Sequence, residues 1–370
     1  MKQKKIAFVI SSNEIGNWSG GISYYRNFFN LLKNEKNLKL IVYTDSQKFI
    51  KLNKLGNFIK IKEVNFLKKW HLFYYLRKLI IFLFKKDLIL FNSLIKENIS
   101  TLSHRKLFKN SKIKIIGWIP DLQHKVLKKF FKGKNYFYRE KYVQNEIKNS
   151  DKIFVSSYQV KKEFKKYYNV NKKIIPLRIL SNVSNSKTKL KRYLLFPAQF
   201  WEHKNHRFLI KVAKIIKAKN LPIKIFFCGK IDNFKDKNYF LNINKKISDL
   251  KLNNIIQNFG EVSLYKLNKM QNECLALINP SYYEGWSTIN EEARSKLKYI
   301  FLSNIKGHKE QNNYGAIYFD LNLPEDFIKK LEKFLIKKTY LRKNNFSSIN
   351  KKFIKKINIE SKNILNKEYV

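Results

Sequence analysis

Two glutamates eight residues apart, Glu284 and Glu292, flank a glycine-containing turn in Glu284-Gly285-Trp286-Ser287-Thr288-Ile289-Asn290-Glu291-Glu292. The apolar run Ala276-Leu277-Ile278 precedes the turn and a helical pattern follows it, so the segment reads as strand, turn and helix start. A helix start carries unpaired backbone N–H groups and a partial positive charge, which suits Gly285 to Ile289 to holding a diphosphate. Thr288 and Glu291 have the spacing of a capping box, which gives Glu291 a structural task and leaves Glu292 over. Glu292, one turn into the helix, is then placed to accept hydrogen bonds from ribose hydroxyls. Glu284, ahead of the turn, is placed to face a sugar.

Three further segments carry side chains or backbone suited to a site. Leu194-Leu195-Phe196-Pro197 runs as a strand into Ala198-Gln199-Phe200-Trp201-Glu202-His203-Lys204-Asn205-His206, with a helix from about Arg207. His203 and His206 stand at a spacing open to a metal, but no third ligand follows at a suitable distance. They are expected to cap the helix or line the site, with no metal and no other cofactor. In the first half, Trp18-Ser19-Gly20-Gly21-Ile22-Ser23-Tyr24 opens a helix, and the paired glycines Gly20 and Gly21 let backbone approach a phosphate or sugar. Gly117-Trp118-Ile119-Pro120-Asp121-Leu122-Gln123-His124 ends another strand at the sheet edge where ligands of parallel sheets collect, which makes Asp121 and His124 candidates to orient an acceptor hydroxyl.

The surroundings of these segments alternate short apolar runs rich in Ile, Val and Phe with longer stretches of helical periodicity. That alternation argues for an α/β chain built of strand-helix-strand units in parallel sheets. The expected strands of the first set are Ile6 to Ile10, Leu38 to Thr44, Asp87 to Phe91, Ile113 to Trp118 and Lys152 to Ser156. Those of the second are Tyr193 to Pro197, Ile223 to Cys228, Asn254 to Phe259, Leu275 to Ile278, Tyr299 to Leu302 and Ala316 to Phe319. A polar, aperiodic stretch divides the two sets, giving a first domain over 1–180, a linker over 181–190, a second domain over 191–345 and a terminal helix over 346–370 that packs back on the body. A length of 370 residues agrees with two domains.

With Pro280-Ser281 ahead of it, Glu284 followed by seven residues and Glu292-Ala293 resembles the E-x7-E signature of the retaining glycosyltransferases of family 4, also called group 1. The resemblance implies a GT-B fold, in which two Rossmann-like domains with parallel sheets face a central cleft. It implies that the first domain binds the acceptor and the second a nucleotide-diphosphate sugar. Glu284 then contacts the donor sugar, Glu292 the ribose, and N–H groups near Ser287, Thr288 and Ile289 the phosphates. Lys204 matches the family's diphosphate-binding lysine, Gln199 stands where its arginine is expected, and Gly229 matches its next strand-to-turn glycine. Gly260-Glu261-Val262 resembles the loop that holds the nucleobase, and Gly20 and Gly21 fall in the loop that faces the cleft. Relatives carry a His-Asp pair where this chain has Pro120-Asp121, so His124 is the nearest substitute. The implied reaction is sugar transfer with retention by front-face attack, the departing diphosphate helping to take the acceptor proton.

A formal charge of +50, from 77 Lys and Arg against 27 acidic residues, points to an anionic partner or to drift in composition. Nucleic acid is the alternative from another class, but no helix-turn-helix, zinc-finger or RNP-like motif appears and no specific nucleic acid is expected. A non-catalytic glycan-binding relative is the third reading. The segment from Phe66 to Lys86 mixes bulky apolar and basic residues at near-helical spacing and reads as a helix for an anionic membrane surface, which fits a glycan or lipid-linked acceptor. No apolar run approaches the ~20 residues that span a bilayer, the N-terminus carries only five apolar residues in a row, and the two cysteines match neither a disulfide framework nor a metal site. These features place the chain in the cytoplasm, peripheral to the inner face of the cell membrane.

Overall fold

The computed structural model describes residues 3–12, 19–104, 112–181, 183–184, 188–231, 237–311, 313–341 and 344–369. Trp18 and, within the expected linker, Asn182 and residues 185–187 lie outside the described residues. The chain forms two compact units, Met1–Leu180 together with Lys356–Val370, and Ser181–Lys355.

The first unit is built on a seven-stranded parallel sheet. Its strands are β1 (Lys4–Val9), β2 (Leu38–Thr44), β3 (Lys60–Glu63), β4 (Thr101–Ser103), β5 (Lys114–Ile119), β6 (Lys152–Val155) and β7 (Lys173–Pro176), in the order β3-β2-β1-β4-β5-β6-β7. A parallel strand covered on both faces reads as an unbroken apolar run, and Ile6, Ala7 and Phe8 of β1 are fully buried. Phe8 packs edge-on against Phe28 and Phe29 of the helix Ser19–Leu32. On the other face Ala7 and Ile41 meet Leu90 and Leu94.

One expected strand is a helix. Asp87 to Phe91 belongs to the start of the helix Leu88–Lys96, where the Asp87 side chain accepts from the amide of Leu90 at 3.4 Å. Leu90, Phe91 and Leu94 share one buried helical face, which a five-residue window cannot tell from a strand. Three strands without an expected counterpart, β3, β4 and β7, are three or four residues long and carry Lys, Glu, Thr or Ser among their few apolar positions.

The second unit holds a six-stranded parallel sheet. Its strands are β8 (Lys191–Pro197), β9 (Lys224–Cys228), β10 (Ile256–Asn258), β11 (Cys274–Asn279), β12 (Tyr299–Ser303) and β13 (Ala316–Phe319), in the order β10-β9-β8-β11-β12-β13. Every residue of β11 is buried, including its terminal Asn279. The helix Asn344–Tyr369 counts with the second unit as far as Lys355 and with the first from Lys356. Its end is part of the first unit's core: Leu365 and Tyr369 are buried there, and the Tyr369 hydroxyl lies 2.7 Å from Ser103 Oγ.

Candidate active site

Strand order in the second sheet reverses between β8 and β11, where the loops leaving the carboxyl ends of two adjacent strands diverge and a ligand finds room. Lys204 ends the short helical turn Glu202–Lys204 after β8, and Glu284 lies in the loop after β11. The Tyr282 amide donates to the His203 carbonyl at 2.9 Å and ties the two loops together. Lys204 Nζ donates to Glu284 Oε1 at 2.7 Å, and Ser281 Oγ (2.7 Å) and Asn279 Nδ2 (3.2 Å) converge on the same oxygen. Burial opposes ionisation of Glu284, but the Lys204 ammonium outweighs it and holds the carboxyl at about 2. The site therefore carries a fixed anion and a fixed cation side by side at neutral pH.

Behind this pair stands a buried polar network. Asn279 Nδ2 also reaches Ser287 Oγ at 2.8 Å and His308 Nε2 at 3.2 Å. His308 Nδ1 lies 3.0 Å from the Ser303 carbonyl, so Nδ1 carries the proton and Nε2 accepts from Asn279. Burial lowers His308 to about 4 and keeps the ring neutral. A Cβ on Gly307 would lie 2.3 Å from the Glu284 carbonyl oxygen, so only glycine lets this turn pack against the Glu284 backbone.

The helix Thr288–Ser295 is capped by Ser287, whose Oγ accepts from the Asn290 amide at 3.2 Å. The cap falls one residue before Thr288, so the expected Thr288–Glu291 box does not form. Glu291 instead turns inward, accepting from Gln311 Nε2 at 2.9 Å beside Arg294, and burial raises its pKa. The Ser287 amide donates to Gln311 Oε1 at 3.1 Å and is committed inside the protein. Of the three amides expected to meet phosphates, this leaves those of Thr288 and Ile289, which open the helix where it offers its own N–H groups no acceptor. Glu292, on the partly exposed side of the same helix, accepts from Gln271 Nε2 at 2.5 Å.

Gly229 follows β9, and a Cβ there would lie 2.0 Å from the Ala198 carbonyl, so the loop carrying Gln199 can approach only a glycine. Gln199 is partly buried and its carbonyl accepts from the Trp201 amide at 2.8 Å. His206 neither caps nor lines this site. Asn205, with φ of 62°, caps the helix His206–Ala218, while His206 is buried against Phe200 at 4.3 Å between ring centres and its pKa falls to about 3 through burial.

In the first unit the order reverses between β1 and β4. Gly20 and Gly21 sit in the first turn of the helix that follows β1. His104, just past β4, is 2.9 Å from the Tyr24 hydroxyl through Nε2 and 2.7 Å from Ser103 Oγ through Nδ1. Asp121 and His124 are held by different partners. Asp121 accepts from Arg139, from the Gln123 amide (3.1 Å) and from Gln123 Nε2 (3.2 Å). His124 is fully buried with Nε2 3.1 Å from Glu140 Oε2, and burial lowers its pKa. Burial works against the Glu140 charge, yet Lys125, Gln144 and Tyr168 hold its carboxyl at about 2.

Over residues 180–353, the length of the second unit, the chain matches the family model of the glycosyl transferases group 1. That match is confined to the second unit and covers just under half of the chain. It is 27% identical over 205 residues to the O-antigen chain mannosyltransferase RfbU of Salmonella typhimurium, which covers 52% of this chain and 54% of that protein, about half its length. Its fold is similar to that of HepE from Anabaena, solved with UDP and glucose, with a TM-score of 0.71 at 11% identity over 99% of this chain and 100% of the other. Sucrose-phosphate synthase from Thermosynechococcus elongatus gives a TM-score of 0.73 at 11% identity over 99% of both chains. The two Rossmann-like halves are thus those of the GT-B fold.

Of the second unit's residues that sequence reasoning missed, Asn279, His308 and Gln311 matter most. Asn279 had a signal, a lone amide at the end of a wholly apolar strand. His308 and Gln311 had none, because the site residues they hold, Asn279 for His308 and Ser287 and Glu291 for Gln311, lie 20 or more residues away.

Proposed function

We propose that this chain is a group 1 glycosyl transferase and moves a sugar from a nucleotide-diphosphate sugar to a glycan or lipid-linked acceptor, with retention at the anomeric carbon and without a metal. The observation that carries the reading is the convergence of the Lys204 ammonium, the ionised Glu284 and the start of the helix Thr288–Ser295 at the strand-order reversal. Lys204 and the Thr288 and Ile289 amides neutralise the diphosphate as it leaves, each preorganised donor contributing a few kcal/mol, on the order of 2–4. Because three donors saturate Glu284 Oε1, its other oxygen is the one to accept a sugar hydroxyl. Glu292 accepts from the ribose, with Gln199 and Gly229 forming the opposite loop. The bond from the anomeric carbon to the phosphate oxygen breaks, the acceptor oxygen bonds to the same face of that carbon, and its proton passes to the departing diphosphate.

On the acceptor side Gly20, Gly21 and Asp121 line the path, and buried His124 acts as a positioning residue behind Glu140. The donor class is supported by HepE, solved with UDP-glucose, and the setting, assembly of cell-surface polysaccharide or lipopolysaccharide, by the O-antigen mannosyltransferase. We place the chain in the cytoplasm at the inner face of the membrane. No helix among the described residues is long and apolar enough to cross one.

A thermal-shift screen of nucleoside diphosphates and nucleotide-sugars, followed by transfer to a glycan acceptor in EDTA and assignment of the product anomer, tests this. Stabilisation by one nucleoside diphosphate and a retained anomer in EDTA are expected. No stabilisation by any donor would sink the reading.

A further inference from the structure

The helix Leu72–Phe84 is inside out. Leu72, Tyr75, Leu76, Leu79, Phe82 and Leu83 recur at the i, i+3, i+4, i+7 spacing of one helical face, and they are 42% to 80% exposed. Of its two charged residues Lys78 is exposed, while Arg77 is on the other side, 5% exposed, and holds Asp87 through two bonds, Nε to Oδ1 at 2.9 Å and Nη2 to Oδ2 at 2.5 Å. Asp87 in turn caps the next helix, so the pair locks which face points outward. Apolar side chains scattered over a surface need no explanation, but a contiguous stripe of this size does.

The charge around the stripe names what covers it. From Val64 to Lys86 the chain has no Asp or Glu, while the exposed Lys69, Lys78, Lys85 and Lys86 surround the helix. A second copy of this face would bring the same four lysines against one another within a chain of charge +50, and an acidic layer would neutralise them. Trp70, largely exposed just before the helix, and Tyr75 are residues that settle at a membrane-water boundary. At about 1.5 Å per residue, 13 residues span roughly 20 Å, too short to cross a bilayer but suited to lying along one.

We infer that this stripe is a preformed docking face for an anionic lipid bilayer, with Leu76, Leu79 and Leu83 inserted among the acyl chains and the four exposed lysines at the head groups. The inference rests on the membrane-held acceptor proposed above and fixes the surface by which the chain reaches it.

Flotation of the full-length protein with phosphatidylglycerol-containing and pure phosphatidylcholine vesicles, at low and high salt, tests it. The expected result is capture by the anionic vesicles alone, weakened by salt, and a loss of about ten-fold or more in the combined variant Leu76→Glu, Leu79→Glu, Leu83→Glu. Those positions are exposed, and an unchanged melting curve verifies that the variant folds. Undiminished capture of the variant, no capture of the wild-type chain, or a wild-type dimer that the variant abolishes overturns the proposal. Stabilisation by the nucleoside diphosphate, measured on the same variant, stays intact if only docking is lost and is missing from both proteins if the transferase reading fails.

Discussion

Glu284 is ionised because Lys204 stands beside it, and that dependence can be read in a pH profile. With its folded pKa at about 2, below the ~4.3 of a free glutamate, its ion pair stabilises the folded state above about pH 4.3. The contribution is then lost as pH falls from there toward 2. Replacing Lys204 with Ala removes the nearest cation while burial persists, so the Glu284 pKa rises toward or past the free value and the loss of stability between about pH 4.3 and 2 shrinks or reverses. Thermal melts of wild type and Lys204→Ala between pH 3 and 7 check this, and superimposable curves would contradict it. The same variant should slow donor turnover by about 10²- to 10³-fold, read as kcat, since in the proposed reaction the Lys204 charge serves the leaving group. Asn279→Ala acts through Glu284, Ser287 and His308 together, so it should lower kcat and stability, whereas Asn279→Ser, which keeps one donor, should restore part of each.

At the scale of elements, the helix Thr288–Ser295 separates two neighbouring hydroxyls. Ser287→Ala removes the cap and a partner of Asn279 and should cost about 1 kcal/mol or more of stability, while Thr288→Ala should be close to neutral, both read by urea unfolding. The capping-box spacing points to Thr288 because Ser and Thr stand side by side, and only the backbone turn at Ser287 decides between them. Gly229→Ala forces the two loops apart and should destabilise by about 1–3 kcal/mol, with weaker donor binding in the same protein. Which elements are legible in the amino-acid sequence follows the same physics. Strands buried on both faces, such as β1, β8 and β11, announce themselves as apolar runs. The edge strand β3 and the three-residue β4 hold too few apolar positions to do so, and the amphipathic start of the helix Leu88–Lys96 imitates a strand. In the site, Glu284 and Lys204 are visible because each sits at a fixed distance from a strand end. Gln311, which takes the Ser287 amide out of the expected phosphate cradle, is not visible, since a bond across 24 residues leaves no local spacing.

At the scale of the whole molecule, the last helix makes the first unit depend on the chain's final residues. Leu365 is fully buried in that unit, Tyr369 reaches Ser103 at the end of β4, and Glu368 accepts from Lys152 at 2.5 Å and Lys173 at 2.8 Å. A sheet edge carrying Lys114, Lys152 and Lys173 in so basic a chain repels itself unless an acid stands there. Burial works against the Glu368 charge, but Lys152 and Lys173 lower its pKa. Its contribution is therefore present at neutral pH and lost as pH falls through the lowered value. Leu365→Ala should cost about 2–5 kcal/mol through the cavity it leaves. Glu368→Ala should destabilise at pH 7, more so at low salt, and progressively less as acid protonates the wild-type carboxyl. Both effects belong to the first unit, so calorimetry should show the unfolding of that unit shifted down. The transition that a bound nucleoside diphosphate raises, belonging to the second unit with Lys204 and Glu284, should keep its midpoint. If the tail variants lowered both transitions equally, the two units would unfold as one, and the terminal helix would be a strap for the whole chain.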